Sequence, residues 1–225
     1  MRALTIAVIL ALLSQVARAE VWDDCMQNGD IPLKLKSCTQ VIDNSRTADQ
    51  DRITARLHRG YAHRLSKSWE AALADIEEVI SKRPDQVRAY YERGMLRRQA
   101  EEYRAAVRDF DRAVRGMSDK AFAWVARGRV NYLLGNHWSA AQDLNEAIRI
   151  YPEYAAAFDY LARVRCKQDR PEDAVQAWQR MLRINRDLVA RERKWLRDRG
   201  FLGAGAEESL AAAQLAYAEA GCPGR

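Results

Sequence analysis

Apolar residues recur along most of the chain at helical spacing, and the pattern itself repeats every 34 residues. Gly60, Gly94, Gly128 and Ala162 form one column at that interval, and Ala72, Ala106, Ala140 and Ala174 form a second. Ile76, Phe110, Leu144 and Trp178 make a third, and Ile80, Val114, Ile148 and Leu182 a fourth. These columns define four consecutive units from Ile53 to Arg186, each with two amphipathic stretches separated by a short polar turn. Small residues at the eighth and twentieth positions let the two predicted helices of a unit approach closely. Larger ones at the twenty-fourth and twenty-eighth fill the gap to neighbouring units. One such hairpin cannot bury its own apolar face, whereas stacked hairpins can, so the pattern predicts an all-α solenoid of helix-turn-helix repeats.

Other positions add to the columns. Aromatic residues stand fourth in three units (Tyr90, Trp124, Phe158) and seventeenth in two (Trp69, Tyr103), and Pro84 and Pro152 close two units. With these residues the four units resemble the tetratricopeptide repeat family over residues 53–186. Departures lie at the edges: Arg56 stands in the fourth-position column, Pro171 in the seventeenth, and Arg186 where the closing proline falls, so the fourth unit is the least regular. The resemblance implies a right-handed superhelical solenoid whose first helices line a concave groove, and a protein-interaction role.

The seventh position holds Arg59, Arg93 and Arg127, and the twenty-third holds Asp75, Asp109 and Asp143. Both columns lapse together in the fourth unit, as Leu161 and Ala177. The two positions face each other across an antiparallel helix pair, which predicts three parallel Arg–Asp ion pairs. If partly exposed, each contributes roughly 0–1 kcal/mol.

The first nineteen residues carry an early cation, Arg2, an apolar run from Leu4 to Leu13, and Ala17 and Ala19 flanking Arg18. Residues 1–19 therefore read as a secretory signal peptide cleaved between Ala19 and Glu20. The apolar run is well short of the roughly 20 residues that span a bilayer, so the mature chain is expected to lack a transmembrane anchor and to be periplasmic or secreted. An oxidising compartment and an even cysteine count favour disulfides among Cys25, Cys38, Cys166 and Cys222. No CxxC pair is present and the three histidines, His58, His63 and His137, fall at unrelated repeat positions, so a metal site is not expected.

One repeat before Arg59 stands Cys25, and one repeat before Ala72 stands Cys38. Residues 20–52 thus read as a degenerate half repeat: a short helix near Trp22 to Gln27, a turn at "NGDIP", and a second helix from Leu33 with Leu35, Cys38, Val41 and Ile42 on its buried side. Cys38 takes the close-packing slot that alanine fills elsewhere, and Cys25 is its facing partner in a predicted disulfide.

Composition narrows the function. The chain is 48% hydrophobic and 30% charged with a net charge of +6, which suits a folded helical protein. The basic surplus is modest and the chain is exported, so nucleic acid is a poor partner. No phosphate loop, nucleophile elbow or isolated carboxylate pair appears, and neither an enzyme nor a cofactor is expected. The second, fifth, ninth and twelfth positions of each unit would point into the groove, placing Tyr61, Arg64, Arg88, Tyr91, Arg98, Phe122, Arg129, Tyr132 and Arg163 there with only one acid, Asp159. Guanidinium forks bind carboxylates in bidentate fashion and the rings cover apolar side chains, so the expected partner is an acidic protein or peptide.

Residues 187–225 break the repeat register and read as a C-terminal helical cap, with a helix around "LVARERKWLRDRG" and a second ending at Cys222. An alternative is a degenerate peptidoglycan-binding module: "WLRDRGFLG" with "EESLAAAQLAYAEAG" resembles the helix–turn–helix outline of that family, without its Asp-Gly turn or its Gly-x-x-Thr stretch. That resemblance would imply cell-wall association. Cys166 is twelfth in its unit, and regular stacking would leave Cys222 too far from it to bond. A Cys166–Cys222 disulfide therefore predicts that the last helix turns back across the groove near Arg163.

Overall fold

A computed structural model describes residues 19–27 and 29–197, with side chains as far as Arg186. Residues 1–18 of the predicted signal peptide and Cys222 lie outside the described residues. Every regular element described is helical. Residues 19–26 form α1. The helices α2 (Ile31–Asp43), α3 (Asp49–Leu65), α4 (Trp69–Lys82) and α5 (Val87–Gln99) join it in a compact unit that ends at Glu101. A second unit begins at Glu102 and contains α6 (Tyr103–Gly116), α7 (Ala121–Leu133), α8 (His137–Ile150), α9 (Ala155–Lys167) and α10 (Pro171–Arg197).

The repeat is realised in the helix starts. Helices α4, α6, α8 and α10 open at Trp69, Tyr103, His137 and Pro171, each 34 residues after the last. Pro171 is tolerated in this column because it occupies the first helical position, where the missing N–H has no intrahelical partner to lose. The turn between the paired helices recurs with the same period. Lys67, Glu101, Gly135 and Asp169 all adopt positive φ, at 61°, 61°, 78° and 58°. The amide after the left-handed residue closes back onto the helix: Ser68 N donates to His63 O at 2.9 Å, Asn136 N to Asn131 O at 2.8 Å, and Arg170 N to Arg165 O at 2.9 Å.

Packing follows the columns. Ala72, Ala106, Ala140 and Ala174 are fully buried, as are Ile76, Phe110 and Leu144, with Trp178 nearly so. A Cβ on Gly60 would meet the Ile76 side chain at 2.8 Å, and one on Gly128 would meet Leu144 at 3.1 Å and the Ala140 carbonyl at 3.3 Å. The eighth position is therefore where the two helices of a pair touch. The fourth-position aromatics also fasten the connections between repeats: Tyr90 donates its hydroxyl to Pro84 O at 3.2 Å, and Trp124 Nε1 donates to Ser118 O at 2.9 Å.

A Cys25–Cys38 disulfide with a Cα separation of 4.8 Å joins α1 to α2, as expected. Both cysteines are fully buried, against Val41, Ile42 and Ala55. Helix α2 starts two residues before the expected Leu33, because the Asp30 side chain accepts from Leu33 N at 2.9 Å and Pro32 sits in the first turn. Its buried face differs from expectation. Lys34 is 1% exposed, while Leu35 is only half-buried.

At the other end, α10 is one helix of 27 residues, and no break separates the fourth repeat from the residues after Arg186. Arg186 stands where Pro84 and Pro152 follow the corresponding helices of two other units, so no proline blocks the hydrogen-bond ladder there.

Candidate functional site

Within the first unit α3 adjoins α5, and within the second α7 adjoins α9, so each unit presents a face made of first helices. Ion pairs hold these helices in place. Arg59 on α3 donates Nε and Nη2 to Asp75 Oδ2 and Oδ1 on α4, at 2.8 and 2.7 Å, and Nη1 to Thr39 Oγ1 on α2 at 3.1 Å. Arg127 on α7 repeats the fork on Asp143 of α8 at 3.1 and 2.6 Å, and it also bonds Asp111 on α6 at 2.8 Å. Both carboxylates are buried, Asp75 at 4% and Asp143 at 3% exposure. These pairs are thus more enclosed than the partly exposed pairs the sequence suggested, and losing one partner would strand a buried charge. Leu161 and Ala177 are buried in the fourth repeat, where the column has become apolar on both sides. Arg93 and Asp109 fall in different units.

On the first unit's face, Tyr61 and Arg64 project from α3 and Arg88 from α5. The Arg64 and Arg88 guanidiniums lie 5.3 and 5.9 Å from the Tyr61 ring centroid. Arg64 Nε donates to Glu92 Oε2 at 2.8 Å, and Arg88 Nε stands 3.9 Å from the other oxygen. Glu92 is 1% exposed, whereas the Arg88 side chain is half exposed. Beside this group Lys34 reaches in from α2. Its ammonium donates to Cys25 O at 2.6 Å and Gln27 O at 2.8 Å, and it lies 3.2 Å from His58 Nδ1. An ammonium has no acceptor, so the imidazole nitrogen must be the unprotonated one. Burial, then the neighbouring charges of Lys34 and Arg88, push His58 down to about 4. Burial and Arg88 lower Lys34 as well.

The second unit's face carries a similar group. Arg129 on α7 and Arg163 on α9 lie 5.1 and 5.8 Å from the Tyr160 ring centroid. Arg163 Nε donates to Asp159 Oδ2 at 3.0 Å. Arg129 has no carboxylate partner among the described residues, and the Tyr160 ring is its contact. Tyr132 meets Tyr160 edge-on at 6.5 Å and His137 at 5.8 Å.

The sequence placed all nine residues in one groove; the structure brings Tyr61, Arg64 and Arg88 together within the first unit and Arg129, Tyr132 and Arg163 together, through Tyr160, within the second. Tyr91 and Arg98 are half-buried on α5, and Phe122 is exposed on α7. Cys166 is disulfide-bonded and half-buried, packed against Ala162, Ala174, Ala177 and Trp178 between α9 and α10. Cys222, its expected partner, is outside the described residues. Glu92, Tyr160, Lys34 and His58 were missed. Glu92, Tyr160 and His58 occupy the sixth repeat position, which the column reading assigned to no face, and a lysine flanked by leucines reads as solvent-facing. Among the described residues no group of His, Cys, Asp and Glu is arranged to hold a metal, and no helix is long and apolar enough to cross a membrane.

No protein-family model and no curated protein matches the chain. Among solved structures it is similar to MamA. A crystal structure of MamA is 19% identical with a TM-score of 0.62, covering 72% of this chain and 92% of that one. MamA 41-end from Desulfovibrio magneticus RS-1 is 16% identical with a TM-score of 0.65, covering 76% and 94%. MamA AMB-1 is 17% identical with a TM-score of 0.62, covering 88% and 97%. MamA is a tetratricopeptide-like helical-repeat protein, and the likeness is one of fold: this chain has an all-α, tetratricopeptide-type solenoid fold.

Proposed function

We propose that this protein is a non-enzymatic scaffold, exported to the periplasm or beyond, that holds an acidic protein or peptide partner on its first-helix faces. One observation carries the reading: Arg129 is a guanidinium with a tyrosine ring and no carboxylate among the described residues as partner. A cation left without an internal counter-charge on a repeat face is available to an outside acid. The fold supports the scaffold role by analogy, because stacked helix pairs expose a long side-chain surface. The buried Cys25–Cys38 disulfide supports an oxidising location.

Crosslinking and mass spectrometry on the intact envelope of the source cell would identify the partner. Replacing Arg98 and Arg129 together with Glu is then expected to abolish its binding with helicity unchanged by circular dichroism. Unaltered affinity at low salt would remove these faces from the account. Amino-terminal sequencing of the exported chain, with Glu20 first, checks the location.

A further inference from the structure

Within each unit the ninth and twelfth side chains of one first helix reach the first helix of the next repeat. Tyr61, ninth on α3, lies against Arg88 of α5, and Arg64, twelfth, donates to Glu92 of α5. Arg129 and Tyr132, ninth and twelfth on α7, both meet Tyr160 of α9. On α9 the same two positions are Arg163 and Cys166. No described helix stands where a fifth first helix would receive them, yet Cys166 is disulfide-bonded. The chain has four cysteines, and Cys25 and Cys38 are bonded to each other, so Cys222 is the one left for Cys166.

Topology then sets the path of the chain. Cys166 packs against Ala174, Ala177 and Trp178 near the start of α10, and α10 carries the chain on to Arg197, about 30 Å from Ala177 by helical rise. A bond between Cys166 and Cys222 brings the chain back over that distance. Residues 198–221 suffice for the return even as a helix, which would be about 36 Å long. The return leg is antiparallel to α10 and therefore parallel to α9, the direction a first helix takes.

We infer that the flank of α9 is the docking site of the chain's own residues 207–222, which stand there as a fifth first helix, tied by a Cys166–Cys222 bond with Glu219 on Arg163. At helical spacing Ala211, Leu215, Ala218 and Cys222 share one stripe, small enough for close approach to α9. Charge complements it: "EESLAAAQLAYAEAG" has three glutamates and no cation. In parallel register Cys222 meets Cys166, and one turn earlier Glu219 meets Arg163. Arg163 already donates Nε to Asp159 at 3.0 Å, and a guanidinium with five N–H donors serves two acids at once, as Arg127 does with Asp143 and Asp111. The segment flanks the groove instead of crossing it. It reserves Arg163 for the chain itself and leaves an outside acid to the first unit's face and Arg129, so the inference goes beyond the scaffold reading and does not depend on it.

The test uses the full chain, purified as a monomer with its disulfides intact. Peptide mapping without reduction is expected to yield a Cys166–Cys222 linked peptide. The strength of that bond is then read in glutathione redox buffers, with acid quench, alkylation and mass spectrometry at each cysteine, as the effective concentration of one thiol for the other. Arg163→Glu and Glu219→Arg should each lower it about fivefold, and the two together should restore it to within about twofold, with helicity unchanged by circular dichroism. Alkylation of both cysteines without reduction, or a link found only between two molecules, overturns the inference. So does an unchanged effective concentration in the single variants, or a charge swap that restores nothing. Loss of the cellular partner on Arg98→Glu with Arg129→Glu is a separate outcome, and it holds or fails whatever Cys222 bonds.

Discussion

Lys34 joins three helices through one ammonium group, reaching from α2 to the last carbonyls of α1 and to His58 on α3. A buried cation of this kind is stable only while its acceptors are kept, and His58 accepts only while neutral. The folded imidazole titrates at about 4, against an ordinary value of 6.5, with burial as the larger cause and Lys34 and Arg88 as the charges facing it. In the unfolded chain His58 takes up its proton near pH 6.5. The resulting stability is complete above that pH, declines as the pH falls through it, and is gone below the folded value. The full interval corresponds to about 3 kcal/mol, which partial exposure of the ring reduces to about 2 kcal/mol. Urea denaturation is therefore expected to show a clear loss of stability between pH 7 and pH 4.5, and His58→Gln should remove most of that slope. An unchanged slope in the variant would sink the assignment. None of this was legible from residue pattern, because Lys34 and His58 stand 24 residues apart and neither belongs to a repeat column. The Arg59–Asp75 and Arg127–Asp143 pairs were legible, since two columns that appear and lapse together mark side chains that meet.

Among elements, the hairpin turn is the most uniform feature, although its residues are the least alike. Lys67, Glu101, Gly135 and Asp169 share a left-handed backbone yet have no side-chain chemistry in common, so a reading by residue type passes over the column. The reason is geometric: the last turn of each first helix closes through the amide that follows, and that closure demands positive φ from whatever residue stands there. Only glycine adopts it without a Cβ penalty, and Gly135 alone is glycine. Lys67→Gly and Asp169→Gly are each expected to stabilise by about 0.5–1 kcal/mol, and Gly135→Ala to destabilise by about 1 kcal/mol. Chemical denaturation of the three variants checks this, and destabilisation by the lysine replacement would show that the Lys67 side chain contributes more than its backbone costs. Helix α10 illustrates the opposite failure of reading. A change in side-chain register at Arg186 looks like a boundary, but a helix ends only when something satisfies its last carbonyls or blocks the next amide, and a missing proline does neither.

On the scale of the whole molecule, the chain divides between α5 and α6, and only the first of the two units carries the Cys25–Cys38 bond. A repeat protein distributes its stability over local units and their neighbours, so a crosslink acts most strongly on the part it closes. Here it closes a loop of 13 residues' separation around a half repeat whose own core is small. In the chain-entropy model such a loop is worth about 3 kcal/mol, and small scaffolds depend most on such staples. The contribution passes inward by named contacts: Arg59 links α3 to Thr39 on α2, and Lys34 links α2 to His58. Replacing Cys25 and Cys38 together with alanine should therefore loosen α2 and α3 while leaving α8 and α9 as they were. Amide hydrogen exchange reads this directly. The slowest amides of α2 and α3, such as those of Val41 and Ala62, are expected to exchange about 100-fold faster, with protection in α8 and α9 unchanged. Uniform acceleration across all the described helices would mean that the two units open as one cooperative body, and the N-terminal disulfide would then be stabilising both units rather than the first alone.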